Sequence, residues 1–162
     1  MANKNFEQAY EILIKFQPPY RNNEGNENLV ENFGIYKKDF ETHSGQTYNR
    51  DQYYELTADE FKAYFKAKFW DMCSCDDIFD GVDFLVFSHA IHSNSATAIK
   101  KLQEVLGVSQ TGTIDDATNT AISNCDDAVK KTQILLDLQA FLLTEYSEDK
   151  FAKVKAHAQY LV

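Results

Sequence analysis

Long apolar runs are missing from this chain of 162 residues, and no stretch reaches the roughly 20 consecutive apolar residues of a membrane-spanning helix. Residues 1–7 also lack the basic-then-apolar order of a secretory signal. The expectation is a chain that is cytoplasmic as synthesised, does not insert into a membrane, and leaves the cell, if at all, by another route. Basic charge is in deficit. Sixteen Lys and Arg face 25 Asp and Glu, and the net charge of -9 repels phosphate backbones and anionic lipid headgroups. Nucleic acid is therefore not an expected partner.

Cysteine is scarce, and Cys73, Cys75 and Cys125 cannot all pair within one chain. Residues two apart rarely meet the spacing of a disulfide, so reduced thiols are expected. A metal site built from these thiols with His89, His92 or His157 would rest on a C-x-C spacing that is short for structural zinc. No metal and no other cofactor is expected. Glycine is sparse too: Gly25, Gly34, Gly45, Gly81, Gly107 and Gly112 form no phosphate-cradling pattern.

Apolar and aromatic material is what the chain does have. Hydrophobic residues make up 44% of it, with twelve Phe and nine Tyr against one Trp, enough for one sizeable core. Phe6, Ala9, Tyr10, Leu13 and Phe16 recur at helical spacing, and Pro18 and Pro19 end that helix. Residues 20–47 are rich in Asn, Gly and Glu. They predict a long polar loop with a small hairpin over 32–36 and a short helix over 37–42.

Thr57 with Glu60 reads as a capping box that opens a helix running to about Trp70. Residues 78–91 are apolar on most sides, as a buried central helix would be. Ser95 is the expected cap of a helix that stops at Gly107. Helices are further expected over 114–122, 126–146 and 149–160. No repeat or linker divides these segments, so they must share a core. The predicted class is mainly α, an orthogonal helical bundle with a long polar loop after its first helix.

Catalytic chemistry is hard to find among these residues. Glu24, Glu27 and Glu31 are candidate paired carboxylates, but they lie in a polar stretch with no apolar pocket to raise a pKa. The cysteines and His89 or His92 show no nucleophile-and-base spacing. Tyr20, Phe33, Tyr36, Phe40, Tyr48, Tyr53 and Tyr54 suit either a protein or carbohydrate contact or simple packing of the loop onto the bundle.

Two stretches carry a family likeness. Gln17-Pro18-Pro19-Tyr20-Arg21-Asn22 followed by Asn32-Phe33-Gly34-Ile35-Tyr36 resembles the opening of the family 108 glycoside hydrolases, lysozyme-like N-acetylmuramidases of phages and bacteria. That family opens with Glu-Gly-Gly-Tyr, passes a loop with an Asp and Gly-Gly-x-Thr, and reaches Asn-Phe-Gly-Ile-Thr. Ala67 to Trp70 and Val82-Asp83-Phe84 fit its middle. Leu102-Gln103, Leu106-Gly107, Thr111-Gly112-Thr113-Ile114 and Thr118 resemble its peptidoglycan-binding helices. The likeness implies a single lysozyme-like domain over 1–162, with a muramidase-like part over 1–92 and a peptidoglycan-binding-like helical part over 93–162.

The departures bear on function. Gln17 stands where the family has its catalytic Glu, and a side-chain amide has no titratable proton to donate. Pro18 and Pro19 replace the glycine pair, Asn26 replaces the loop Asp, Asn28 and Leu29 replace Gly-Gly, Glu31 and Tyr36 replace the threonines. Phe87-Ser88-His89 replaces an Asn-x-Gly pattern, and residues 157–161 replace the closing Gly-Trp-x-x-Arg.

The resemblance thus implies a catalytically inactive relative that binds a protein or a peptidoglycan-like glycan, in a phage particle, a tail-like injection machine or a cell-wall assembly. Gln17, Tyr20, Asn26, Glu31 and Asn32 are its expected binding residues. Two alternatives stand: a muramidase using a relocated Glu24 or Glu31, and an acidic inhibitor or immunity-type protein that covers a basic muralytic enzyme.

Overall fold

A computed structural model of the chain describes residues 2–16, 20–21 and 25–145. Helix α1 (Ala2–Phe16) places Phe6, Ala9, Tyr10 and Leu13 in the core, as their spacing requires. A small antiparallel sheet follows, in the order β1 (Tyr20–Arg21), β2 (Glu31–Asn32), β3 (Ile35–Tyr36), with a 3-10 turn over Glu27–Leu29 between its first two strands. Phe33 and Gly34 join β2 to β3 with φ of 51° and 80°, the positive pair that a two-residue hairpin needs. Left-handed backbone at Phe33 costs about 1–2 kcal/mol. Its ring, 5.0 Å from that of Phe61, offsets the strain by packing against the bundle.

Helix α2 (Lys37–Ser44) ends at Gly45, left-handed at φ 69°. A short helix, α3 (Arg50–Tyr54), occupies a stretch for which the sequence suggested no element. Asn49 and Gln52 cap it reciprocally, each side chain accepting the other's amide at 2.9 Å. The aromatic-rich loop mostly packs: Phe40 and Tyr53 are buried, and Phe33, Tyr48 and Tyr54 lie against the core. The Tyr53 hydroxyl donates to the Ile35 carbonyl at 2.8 Å and so pins the hairpin to α3.

Helix α4 (Ala58–Phe65) opens at the Thr57–Glu60 capping box expected from the sequence. It runs on as a π-helical turn, Lys66–Asp71, and then a 3-10 turn, Cys75–Asp77. The central helix α5 (Val82–His92) is buried from Val82 to Ala90. It starts later than the apolar run suggests because Gly81 has φ 89° and Ile78 is extended.

Helix α6 (Ser95–Leu106) is capped by Asn94, whose side chain accepts the Thr97 amide at 2.8 Å, and not by Ser95. It stops at Gly107, left-handed at φ 73°. Helix α7 (Asp116–Ser123) begins after Asp115, which accepts the Thr118 amide at 2.9 Å. Helix α8 (Ala128–Glu145) completes the described part. The expected helix over 149–160 lies outside the described residues.

One core cluster runs from Phe6 to Leu142, with α5 packed against α1, α6 and α8. The architecture is a mainly helical, lysozyme-like bundle with a minimal sheet. Among the described residues no helix is long and apolar enough to cross a membrane.

Candidate functional site

A cleft of about 570 Å³ opens between the β2–β3 hairpin with α2 on one side and α4, the π-helical turn and the α5–α6 link on the other. Gly34, Ile35 and Tyr36 of the hairpin line it, so three of the five residues of the Asn32-Phe33-Gly34-Ile35-Tyr36 stretch face this space. Tyr36 is 42% exposed, and Met72 at another part of the wall is 61% exposed. Tyr36 is thus available for contact, while Phe33, Phe40, Tyr48, Tyr53 and Tyr54 pack.

Polar groups punctuate an otherwise apolar lining. Asp39 on α2 is the sole carboxylate among the described lining residues, and Lys68 on the π-helical turn is the sole ammonium. Tyr64 stacks on Phe40 with ring centres 5.4 Å apart. Burial, with the Asp39 charge behind it, pushes the Tyr64 hydroxyl up to about 12, so it remains a neutral donor and acceptor. Ser95 donates its hydroxyl to the Lys68 carbonyl at 3.1 Å, tying α6 to the π-helical turn across the floor. Such a lining can hold a partly apolar, hydrogen-bonding ligand. Hydrolysis of a glycosidic bond by the common route uses two carboxyl groups flanking the bond.

Glu41 supports this wall from α2. Burial works against its ionisation, but the Lys37 ammonium at 2.7 Å and the Tyr48 amide at 2.8 Å hold its carboxyl below the ordinary range.

Of the binding residues expected from the sequence, Asn26, Glu31 and Asn32 are absent from the described lining of this cleft. Gln17 lies outside the described residues, as does Glu24. Tyr20 on β1 pairs with Asn32 on β2, and Glu31 pairs with Arg21 and Tyr36. Asn26 is exposed in the turn before β2, Glu31 is half-buried and Asn32 is buried, and none of the three lines the cleft. The sheet gathers Tyr20, Glu31 and Asn32 into one backbone ladder, and Tyr36 carries that ladder into the cleft wall. Asp39, Lys68, Met72 and Asn94 did not stand out in the sequence as a site because they come from α2, the π-helical turn and its end, and the cap of α6, which only packing brings together.

A second, smaller cavity of about 180 Å³ lies between α1 and the start of α5. There the Asn5 amide donates to Asp80 at 2.7 Å and to Asp83 at 3.0 Å. Asp83 also accepts the amides of Gly81 at 2.8 Å and Phe84 at 2.7 Å. Burial raises its carboxyl to about 6 in spite of these donors. His89 is likewise buried, its ring 5.4 Å from that of Phe141, and burial with the nearby His92 and Lys101 lowers it to about 4. Among the described residues no group of three or more His, Cys, Asp or Glu is placed to hold a metal ion.

Comparison with known proteins gives likenesses to a family and to solved structures. Residues 21–93 match the family model Glycosyl hydrolase 108. A solved structure from Brucella abortus, the structure of SagA, matches with a TM-score of 0.78 at 22% identity, over 98% of this chain and 94% of that one. No curated protein matches the sequence. The chain therefore has the lysozyme-like fold that it shares with Brucella abortus SagA, and within that fold residues 21–93 are similar to Glycosyl hydrolase 108.

Proposed function

We propose that this is a catalytically silent, lysozyme-like protein that acts at peptidoglycan by holding glycan strands in the cleft between the hairpin and α4. The carrying observation is the pairing of Gln17, at the position of the family's proton donor, with a cleft whose sole described carboxylate is Asp39. A general acid must carry a proton to the leaving oxygen, and an amide cannot. The match to the hydrolase model begins at position 21, past the Gln17-Pro18-Pro19-Tyr20 stretch, which agrees with a scaffold that has diverged there. Exposed Tyr36 with the neutral Tyr64 hydroxyl supplies flat apolar area beside hydrogen-bonding groups, the mixture that a sugar face calls for. Service in a phage particle, an injection machine or a wall assembly fits such a binder.

Two measurements test the reading. Purified cell walls should show no loss of turbidity with the protein between pH 4 and 8, while sedimenting walls should retain it. Tyr36→Ala should weaken that retention about tenfold, the size of effect from losing one aromatic contact of about 1.4 kcal/mol. Turnover that vanishes in Glu24→Gln or Glu31→Gln would sink the proposal and establish a relocated acid. Retention by a basic muralytic enzyme in place of walls would favour the acidic-inhibitor reading.

A further inference from the structure

Helix α8 is apolar on two opposite sides. Ile134, Leu138 and Leu142 are buried on the side that packs against α5 and α6. Val129, Leu136 and Leu143 recur every seven residues on the other side, where they are 74%, 48% and 38% exposed. Gln133 and Ala140, exposed as well, stand between them, so the five residues follow one another at steps of four and three. A surface helix of a single domain needs one apolar stripe. A second stripe in this rhythm is the seam along which two helices pair. The charge of α8 suits such a pairing too. Lys130 and Lys131 balance Asp137 and Glu145, so the helix is neutral on a chain that carries -9, and two copies meet the least repulsion on this side.

We propose that the outer face of α8 is a self-association surface, on which a second copy of this chain lays its own α8 antiparallel along the seam from Val129 to Leu143. The twofold axis passes level with Gln133 and Ile134. Charge sets the direction. Lys130 and Asp137 are exposed on the same flank of the seam, seven positions apart. A parallel pair in register would set ammonium against ammonium and carboxylate against carboxylate. An antiparallel pair sets Lys130 of each copy beside Asp137 of the other, giving two equivalent ion pairs.

The surroundings of the seam fit this arrangement. The Gln133 amide donates to Asp137 at 2.8 Å and holds that carboxylate at the edge of the seam. Beyond the same flank a groove of about 420 Å³ lies between α8 and Val105, Leu106 and Ala121, and it offers apolar area to the edge of the second helix. No residue of α8 lines the cleft beside the hairpin, so pairing leaves both clefts open. A seam of five residues a side is far short of the roughly 20–30 of a standard interface, which sets the association at a Kd of about 10–100 μM with rapid exchange.

Sedimentation velocity of the full chain over a concentration series that spans this range tests the proposal. The expected result is a rise from the monomer to a two-chain limit. Leu136→Glu should abolish the rise. Lys130→Glu and Asp137→Lys should each weaken association at least about tenfold, since each turns both ion pairs into like-charge contacts. An equimolar mixture of these two variants should associate again to within about threefold of the natural chain, because each then supplies the charge that the other needs. A monomer at every concentration would overturn the proposal, and destabilisation by Leu136→Glu in that monomer would assign the face to residues 146–162 of the same chain. A dimer indifferent to Leu136→Glu, or one that the mixture fails to restore, would overturn it as well. The substituted side chains are exposed, and the concentration series of the natural chain decides the first point even if a variant fails to fold.

Discussion

Asp83 and His89 sit six positions apart on the same buried helix and oppose each other in pH. The folded carboxyl of Asp83, at about 6, keeps a proton that the unfolded chain releases near 3.8. Its contribution to stability is therefore greatest at low pH and is lost as pH rises through about 6. His89, lowered from 6.5 to about 4, works the other way: its contribution is present above 6.5 and is lost as pH falls towards 4. Each shift of about 2 units corresponds to about 3 kcal/mol.

Urea unfolding at intervals from pH 4 to 7 should separate the two. Relative to the natural chain, Asp83→Asn should gain stability as pH rises across this window, and His89→Leu should gain it as pH falls. Parallel curves for all three proteins would show that neither group titrates differently on folding. The buried carboxyl was not foreseen from Val82-Asp83-Phe84, because nothing within three residues reveals that Asn5 and the Gly81 turn enclose it.

At the scale of elements, the fold depends on local caps and on one side chain that organises a whole loop. Thr57 and Glu60 cap α4 within four residues, and Thr57→Ala should destabilise by about 1 kcal/mol in denaturant titration. Gln103 is fully buried on α6. Its amide nitrogen donates to Thr111 at 2.9 Å, to the Thr113 carbonyl at 2.8 Å and to Thr118 at 2.9 Å, while its oxygen accepts the Gly112 amide at 3.0 Å. Gln103→Leu leaves the buried Gly112 amide and Thr118 hydroxyl without it, while Thr111 and Thr113 are exposed to water, and should destabilise by about 2 kcal/mol, with α7 exchanging its amides first.

Leu102-Gln103, Thr111-Gly112-Thr113-Ile114 and Thr118 formed part of the family likeness in the sequence. The structure gives their spacing a physical cause, since Gln103 bonds that very stretch. Helix α3 escaped notice because Asn49 and Gln52 look like ordinary loop residues until both halves of the capping box are seen together. The shift of the α6 cap from Ser95 to Asn94 has the same origin: two capping residues stand side by side, and only backbone geometry selects one.

Across the whole molecule, the core extends beyond the segment matched by the hydrolase model. Ala98, Ile99, Leu102, Ile134, Leu138 and Leu142 complete the cluster that covers α5. A chain ending at His92 should therefore lose the cooperative thermal transition of the full protein, read by calorimetry, because its central helix would face water along the side that α6 and α8 cover. A sharp transition in that fragment would establish 1–92 as an independent unit.

What the sequence by itself determined is local: the amphipathic face of α1, the Thr57–Glu60 start of α4, the Gly107 stop of α6, and enough apolar material for a single core. Each follows from residues within a turn or two of one another, where periodicity and capping chemistry act alone. The tertiary structure decided the rest. Tyr36, Asp39, Lys68 and Asn94 meet at one cleft, and a carboxyl and an imidazole lose their water, because packing joins surfaces that the chain order keeps far apart.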